Sequence, residues 1–137
     1  MSNDERYEQI IAFLGSHLPA PVDRQETRDG SLMFTGGDPA EVVVHLTETN
    51  VIVSEFAGDW VLHGRFMVKP RRLGLLRWTR IPETHLMNAL TALIRAARET
   101  RLARYRPCAL CGTTYPPEAL IGDMCTGCGE QLLTVVH

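Results

Sequence analysis

The residues whose type and spacing could do chemistry are four cysteines in two Cys-x-x-Cys pairs. Cys108 pairs with Cys111 and Cys125 pairs with Cys128, and thirteen residues separate the two pairs. A Cys-x-x-Cys turn presents two thiolates from one short loop, and two facing turns complete the tetrahedral shell that Zn²⁺ prefers. In a reducing compartment, such a use of cysteine favours metal or redox chemistry over disulfide bonds. The spacing therefore predicts a four-cysteine zinc site.

A glycine follows each cysteine pair, and tight turns at Gly112 and Gly129 would use the positive φ that glycine tolerates. The repeated unit Cys-x-x-Cys-Gly, in "CALCGTTY" and "CTGCGE", resembles the knuckles of zinc-ribbon and rubredoxin-type modules. The resemblance covers residues 107–137 and implies that the four cysteines are the ligands. It also implies three short strands, at Thr113–Tyr115, Leu120–Ile121 and Leu132–Val136. A treble clef, in which the second pair opens a helix, is disfavoured because Thr134, Val135 and Val136, soon after that pair, are β-branched.

Three kinds of site remain open for these thiols. Structural Zn²⁺ is the one we expect, because a closed four-cysteine shell leaves no coordination position for a substrate. Iron of the rubredoxin type takes the same four ligands and would transfer single electrons. A dithiol redox switch would require a thiolate of lowered pKa, and no Lys, Arg or His lies between Cys108 and Cys128 to lower it.

Charge is segregated along the chain, although the net charge is only -2. Residues 1–62 carry eleven acidic and three basic side chains, whereas residues 63–106 carry eleven basic and two acidic ones. Guanidinium groups bind phosphate in a bidentate manner, so the Arg-rich segment 65–106 could contact a nucleic acid. The candidate residues are Arg71, Arg72, Arg77 and Arg80, with Trp78 as an aromatic side chain that could stack on a base.

Two structural interpretations compete with nucleic-acid binding. The arginines could form ion pairs with the acidic first half of the chain. Those of the second predicted helix could solvate its exposed side, since Arg is a good helix former; they are Arg95, Arg98, Arg101 and Arg104. The segment 107–137 also disfavours phosphate binding, because it has three acidic side chains and neither Lys nor Arg.

Apolar periodicity predicts two helices. Ser2 and Glu5 have the spacing of a capping box, and an apolar stripe with three- and four-residue steps follows as far as Pro19. This stripe consists of Tyr7, Ile10, Ile11, Leu14 and Leu18. The second helix is predicted between Pro82 and Pro107, with its buried stripe at Leu86, Leu90, Leu93 and Ala97 and with Ile94 and Leu102 beside it.

Residues between the helices alternate in polarity, which is typical of strands with one buried face. The predicted strands are Leu32–Thr35, Glu41–Thr47, Val51–Phe56, Asp59–Val68 and Leu73–Arg80. Short turn-forming links between them imply an antiparallel meander. We expect Val42, Val44 and Leu46 to share one face of the sheet, and the aromatic side chains of Phe56, Trp60 and Phe66 to lie in the core.

These elements predict an α+β fold: a helix, an antiparallel meander of about five strands, a second helix and a C-terminal zinc ribbon. We expect two domains, an α+β domain at residues 1–106 and the ribbon at 107–137. The first ten residues are rich in charge and do not resemble a secretion signal, and no segment is apolar enough to cross a membrane. A cytoplasmic location is the expectation.

The sequence contains no pattern that is typical of catalysis. The five histidines are scattered, and no glycine-rich phosphate loop is present. We therefore expect a non-catalytic adaptor or regulatory protein that binds Zn²⁺ and a protein partner or a second copy of itself, without a small-molecule substrate. The alternatives are nucleic-acid binding through segment 65–106 and rubredoxin-like electron transfer.

Overall fold

The computed structural model describes residues 2–130 and has a mixed helix and strand architecture, which confirms the α+β class. Two long helices cover one face of a five-stranded antiparallel sheet, and a hairpin and a small cysteine-bearing segment complete the fold. The helices are α1 (Asn3–His17) and α2 (Glu83–Ala103). The strands are β1 (Val22–Glu26), β2 (Leu32–Gly37), β3 (Ala40–Leu46), β4 (Val51–Glu55), β5 (Gly58–Val61), β6 (Arg65–Val68), β7 (Arg71–Leu76), β8 (Arg106–Pro107), β9 (Thr114–Tyr115), β10 (Leu120–Ile121) and β11 (Met124–Cys125).

The large sheet has the strand order β1-β2-β3-β4-β7, and every neighbouring pair is antiparallel. Its first strand, β1, was not predicted, because four of its five residues are exposed and polar and give no apolar alternation. The single strand predicted at Asp59–Val68 is wrong. That segment is a separate hairpin of β5 and β6, which reverses at Leu62–Gly64, where Gly64 has a φ of 71°.

Both helices pack on the same face of the sheet, as their apolar stripes predict. The Ser2 hydroxyl accepts a hydrogen bond from the Glu5 amide at 3.2 Å, so α1 begins with the expected cap. The common core joins residues of both helices to the predicted face of β3, namely Ile10, Leu14, Leu86, Leu90, Ile94, Ala97, Val42, Val44 and Leu46. No helix among residues 2–130 has the length and apolar character that crossing a membrane requires.

Three apolar side chains lie where the sequence did not place them. Trp78 is 2% exposed, and its indole Nε1 donates to the Thr47 carbonyl at 3.0 Å, so it offers no face to a base. Trp60, expected in the core, is 58% exposed because its strand belongs to the hairpin. Leu102 is also exposed, since it lies twelve residues beyond Leu90 and is rotated from the buried stripe by about 120°.

Candidate metal centre

Two short antiparallel strand pairs and a helical turn position the four cysteines. Strand β8 pairs with β9, and the first cysteine pair lies in the loop that joins them. Strand β10 pairs with β11, in which Cys125 is the last residue, and the chain is helical over 126–130. The strands implied at 113–115 and 120–121 are present as β9 and β10. However, β9 pairs with β8 and β10 pairs with β11, so the two implied strands do not pair with each other.

The second cysteine pair opens a helix, which is the arrangement that the sequence disfavoured. Cys128 lies within helical residues 126–130, so the β-branched residues further along did not prevent a helical start. Gly112 has the predicted positive φ, at 76°, whereas Gly129 lies in the helix and has no such conformation. The strand implied at Leu132–Val136 lies outside the described residues.

The four cysteine sulfur atoms form one compact cluster. The Sγ atoms of Cys108, Cys111, Cys125 and Cys128 all lie within 4.8 Å of one another, and those of Cys111 and Cys125 are 3.9 Å apart. Tetrahedral coordination with metal–sulfur distances of about 2.3 Å would separate the sulfurs by about 3.8 Å. A disulfide would require about 2.05 Å, and all four cysteines are free. The cluster could therefore hold a metal ion.

Backbone amides point at two of the sulfurs. The Leu110 and Cys125 amides donate to Cys108 Sγ at 3.4 and 3.3 Å, and the Cys128 amide donates to Cys125 Sγ at 3.4 Å. Backbone hydrogen bonds from Cys111 and Cys125 lower the pKa of Cys108 to about 6. The neighbouring Cys125 thiol raises the pKa of Cys128 to about 12. Backbone N–H groups thus stabilise the Cys108 thiolate although no Lys, Arg or His lies between the two pairs, whereas the neighbouring sulfurs disfavour the Cys128 thiolate.

Apolar support around the sulfurs is small. Cys108 and Cys125 are buried with Leu120, and Tyr115 and Met124 pack against them. Cys111 is exposed, so the cluster lies at the surface of the molecule. This group of side chains therefore contributes little apolar burial to the stability of the segment.

Glu118, which lies between the two cysteine pairs, is bound to the end of α2. Its carboxylate accepts hydrogen bonds from both terminal nitrogens of Arg101, one of them at 3.0 Å. Arg101 is 2% exposed, and its Nε donates to the Ala40 carbonyl at 3.0 Å. Its guanidinium also lies 5.1 Å from the ring centre of Phe56. The expectation that Arg101 solvates the helix is therefore wrong, because Arg101 is a buried cation in which each of the three guanidinium nitrogens donates a hydrogen bond.

Glu118 also contacts the exposed hairpin. The Trp60 indole Nε1 donates to the Glu118 carbonyl at 2.9 Å, and the Trp60 ring lies edge-on to Phe66 at 5.3 Å. One residue between the cysteine pairs thus joins α2, the hairpin and the metal-site loop. Sequence reasoning missed Glu118, since nothing in the pattern separates it from the other acidic residues nearby.

The four candidate arginines for nucleic-acid binding are all exposed, but they do not form one set. Arg71 lies 3.8 Å from the buried carboxylate of Glu55, which also accepts a hydrogen bond from Arg104 at 2.8 Å. The side chains of the other three make no hydrogen bond or ion pair within residues 2–130; they are Arg72, Arg77 and Arg80. Internal pairing therefore accounts for some of the basic segment and leaves a part of it free.

A second polar cluster lies at the turn between β1 and β2. Ser31 Oγ is 2.7 Å from His45 Nε2 and 2.7 Å from an oxygen of Asp29, which also accepts from the Thr27 hydroxyl. These hydrogen bonds hold the pKa of Asp29 below its usual range. In a Ser-His-Asp triad the carboxylate orients the imidazole, whereas here it binds the hydroxyl itself. These hydrogen bonds hold the turn together, and the contact of a triad's carboxylate with the imidazole is not among them.

Comparison with known proteins gives no family for this chain. No family model matches it, and neither a curated protein nor a solved structure matches it.

Proposed function

We propose that the protein is a non-catalytic interaction module in which a structural Zn²⁺ ion fixes a protein-binding surface. The observation that carries the proposal is the convergence of four sulfurs within 4.8 Å. Four cysteines can fill every coordination position of Zn²⁺, and a filled shell has no place for a substrate or a reactive water. The ion would therefore have a structural role: it would fix the conformation of the chain around the four cysteines.

Zinc would act on the surface through Glu118. Coordination would hold the loop between the cysteine pairs, and Glu118 in that loop accepts hydrogen bonds from Arg101 and Trp60. Through Trp60, the metal-bound loop would hold the hairpin of β5 and β6 in place. Metal loading and the shape of the hairpin are therefore coupled in this proposal.

The hairpin has the character of a binding surface. Leu62 at its turn is 84% exposed, and Trp60, Met67 and Val68 are each more than half exposed. Exposed apolar patches on small proteins often mark interaction sites, and these four exposed apolar side chains all lie on one hairpin. Basic residues Arg65 and Lys69 lie on the same segment. These features support a protein partner, or a second copy of the chain, over a small molecule.

Nucleic-acid binding is the second candidate. The observation that favours it is that the side chains of Arg72, Arg77 and Arg80 have no polar partner in the part of the chain that the structure describes. Burial of Trp78 weighs against it, because the one aromatic residue among these arginines cannot stack on a base. Electron transfer would use the same four cysteines with iron in place of zinc.

Elemental analysis and a visible absorption spectrum of the purified protein test the metal. We expect one zinc ion per chain and no colour, whereas iron with visible thiolate absorption would contradict the proposal and favour electron transfer. The matched variants are Cys125→Ser, which should lose the ion, and exposed Thr114→Ser, which should keep it.

Tryptophan fluorescence tests the coupling of the metal to the hairpin, because Trp60 and Trp78 are the protein's two tryptophans. Chelation of zinc should change the emission of the wild type and leave that of Trp60→Phe, which reports on Trp78 alone, nearly constant. Equal changes in both proteins would contradict a coupling through the hairpin.

A further inference from the structure

Strand β7 is an open edge of the five-stranded sheet. It pairs with β4 on one side, and within residues 2–130 its backbone makes no hydrogen bond on the other. Leu73 has no partner in the β4 register, where the pairing shifts, and regular pairing resumes at Gly74. An edge of this kind presents unpaired N–H and C=O groups to any extended chain that approaches it.

The side chains along this edge are apolar in the middle. Leu73 and Leu75, in the middle of β7, are exposed. Natural edge strands usually carry charges to prevent pairing. Here the charges stand at the ends of the strand and leave its centre apolar.

Both ends of β7 are basic. Lys69, Arg71 and Arg72 lie at its start, Arg77 and Arg80 follow its end, and all five are exposed. Residues 65–80 contain no acidic side chain. The surface is thus complementary to a segment that is apolar in its centre and acidic at its ends.

We infer that the outer edge of β7 takes up an extended segment of a partner protein, apolar in its middle and acidic at both ends, as a sixth strand of the sheet. The inference rests on the proposed protein-binding role and names its site and the chemistry of its partner. Backbone hydrogen bonds would supply affinity, while the leucines and the terminal cations would select the sequence.

Other occupants fit the edge less well. The β7 strand of a second copy would place its own basic side chains against the basic residues at the ends of this strand. The β1 strand of a second copy offers Asp23 and Glu26, but four of its five residues are exposed and polar, so it has no apolar centre. A nucleic acid would match the cations and leave Leu73 and Leu75 uncovered. An acidic, apolar protein segment satisfies both features.

The test uses three synthetic probes on the intact, zinc-loaded protein. The first is a nine-residue peptide with five alternating valines and threonines between pairs of glutamates. The second replaces the glutamates with lysines, and the third is a ten-nucleotide oligothymidylate. Fluorescence anisotropy gives the affinities. We expect the acidic peptide to bind at least about tenfold more tightly than either control.

Amide exchange locates the bound peptide. The acidic peptide should slow exchange in β7 and leave β1, the opposite edge, unchanged. Arg72→Glu combined with Arg77→Glu should weaken its binding about tenfold. Arg24→Glu combined with Arg95→Glu reverses the same number of exposed charges elsewhere and should leave the affinity unchanged.

Three results would overturn the assignment. They are tighter binding of the oligonucleotide, dimerisation of the free chain through β7, and failure of the acidic peptide to bind or to protect β7. Each of these is distinct from failure of the proposed zinc role, because the zinc content of the same sample is measured first. If the protein contains zinc but does not bind the peptide, the edge assignment is refuted and the proposed role of zinc is not.

Discussion

The sheet-and-helix body (residues 3–103) and the cysteine segment (residues 106–130) bury very different amounts of apolar side chain. Fifteen buried hydrophobic residues form the body's core among residues 2–130, whereas the segment's cluster has three, of which two are cysteines. Full burial of one large aliphatic side chain stabilises a fold by about 1.5–3 kcal/mol. Ordering one residue's backbone costs about 1–2 kcal/mol.

The comparison shows that the two regions need different sources of stability. The body can fold by burial, because each of its helices contributes a complete apolar stripe to the sheet. The cysteine segment orders more residues than its small cluster can stabilise, and we propose that metal coordination supplies the missing stability, as it does in small metal-binding modules. The division at residues 1–106 and 107–137 stays a prediction, and the hydrogen bonds of Glu118 cross it.

Loss of a metal ligand should give the largest effect. We predict that Cys111→Ser loses stoichiometric zinc, because apparent binding free energies of structural zinc sites are about 10–16 kcal/mol and depend on every ligand. Amide signals of residues 108–130 should lose their dispersion in NMR spectra, while those of β2, β3 and β4 persist. Simultaneous loss of all dispersed signals would show that the two regions do not have separate sources of stability.

A cavity in the core of the body should have a smaller effect, which lowers the free energy of unfolding and leaves the metal site intact. Leu90→Ala removes a fully buried side chain and should lower the free energy of unfolding by about 2–5 kcal/mol without loss of zinc. Leu102→Ala, in the same helix but exposed, is the control and should change it by less than about 1 kcal/mol. Urea denaturation measures both values. Equal effects of the two substitutions would contradict the assigned core.

Breaking the contact between the regions should cost about as much as a modest cavity. Glu118→Gln leaves the buried Arg101 guanidinium without a compensating charge, and we expect a loss of about 3 kcal/mol. Asp123→Asn makes the same chemical change at an exposed residue of the segment and is the control. If Glu118→Gln is as mild as the control in thermal denaturation, Glu118 does not couple the regions.

Removal of surface arginines should have the smallest effect. Arg71→Ala with Arg72→Ala should change the free energy of unfolding by no more than about 0.5 kcal/mol, because Glu55 keeps its hydrogen bond with Arg104. Chemical denaturation of the double variant beside Arg104→Ala measures the difference. A loss of several kcal/mol in the double variant would show that these two arginines are structural.

The sequence predicts the body well where local pattern and burial agree. Helical periodicity in α1 and α2 and strand alternation in β3 report directly on the face that each element buries. Strand β1 was missed because an edge strand can be polar on both sides, and the hairpin of β5 and β6 was missed because its apolar residues resemble those of a core strand.

The four cysteines were predictable as a cluster, since their spacing is itself the geometric requirement. The structure around the cysteines could not be predicted from the sequence. No local pattern marks the second pair as the start of a helix, and the pairing of Arg101 with Glu118 joins residues that no local pattern relates. Long-range polar contacts of this kind become visible only in the fold.

Hydrogen exchange of the zinc-loaded protein before and after chelation tests the central claim most directly, namely that the metal holds both the cysteine segment and, through Glu118, the hairpin. We predict faster exchange after chelation in residues 106–130 and 58–68, with β2, β3, β4 and the buried turns of α2 unchanged. Unchanged exchange in the hairpin, or uniform acceleration over the whole body, would contradict the account.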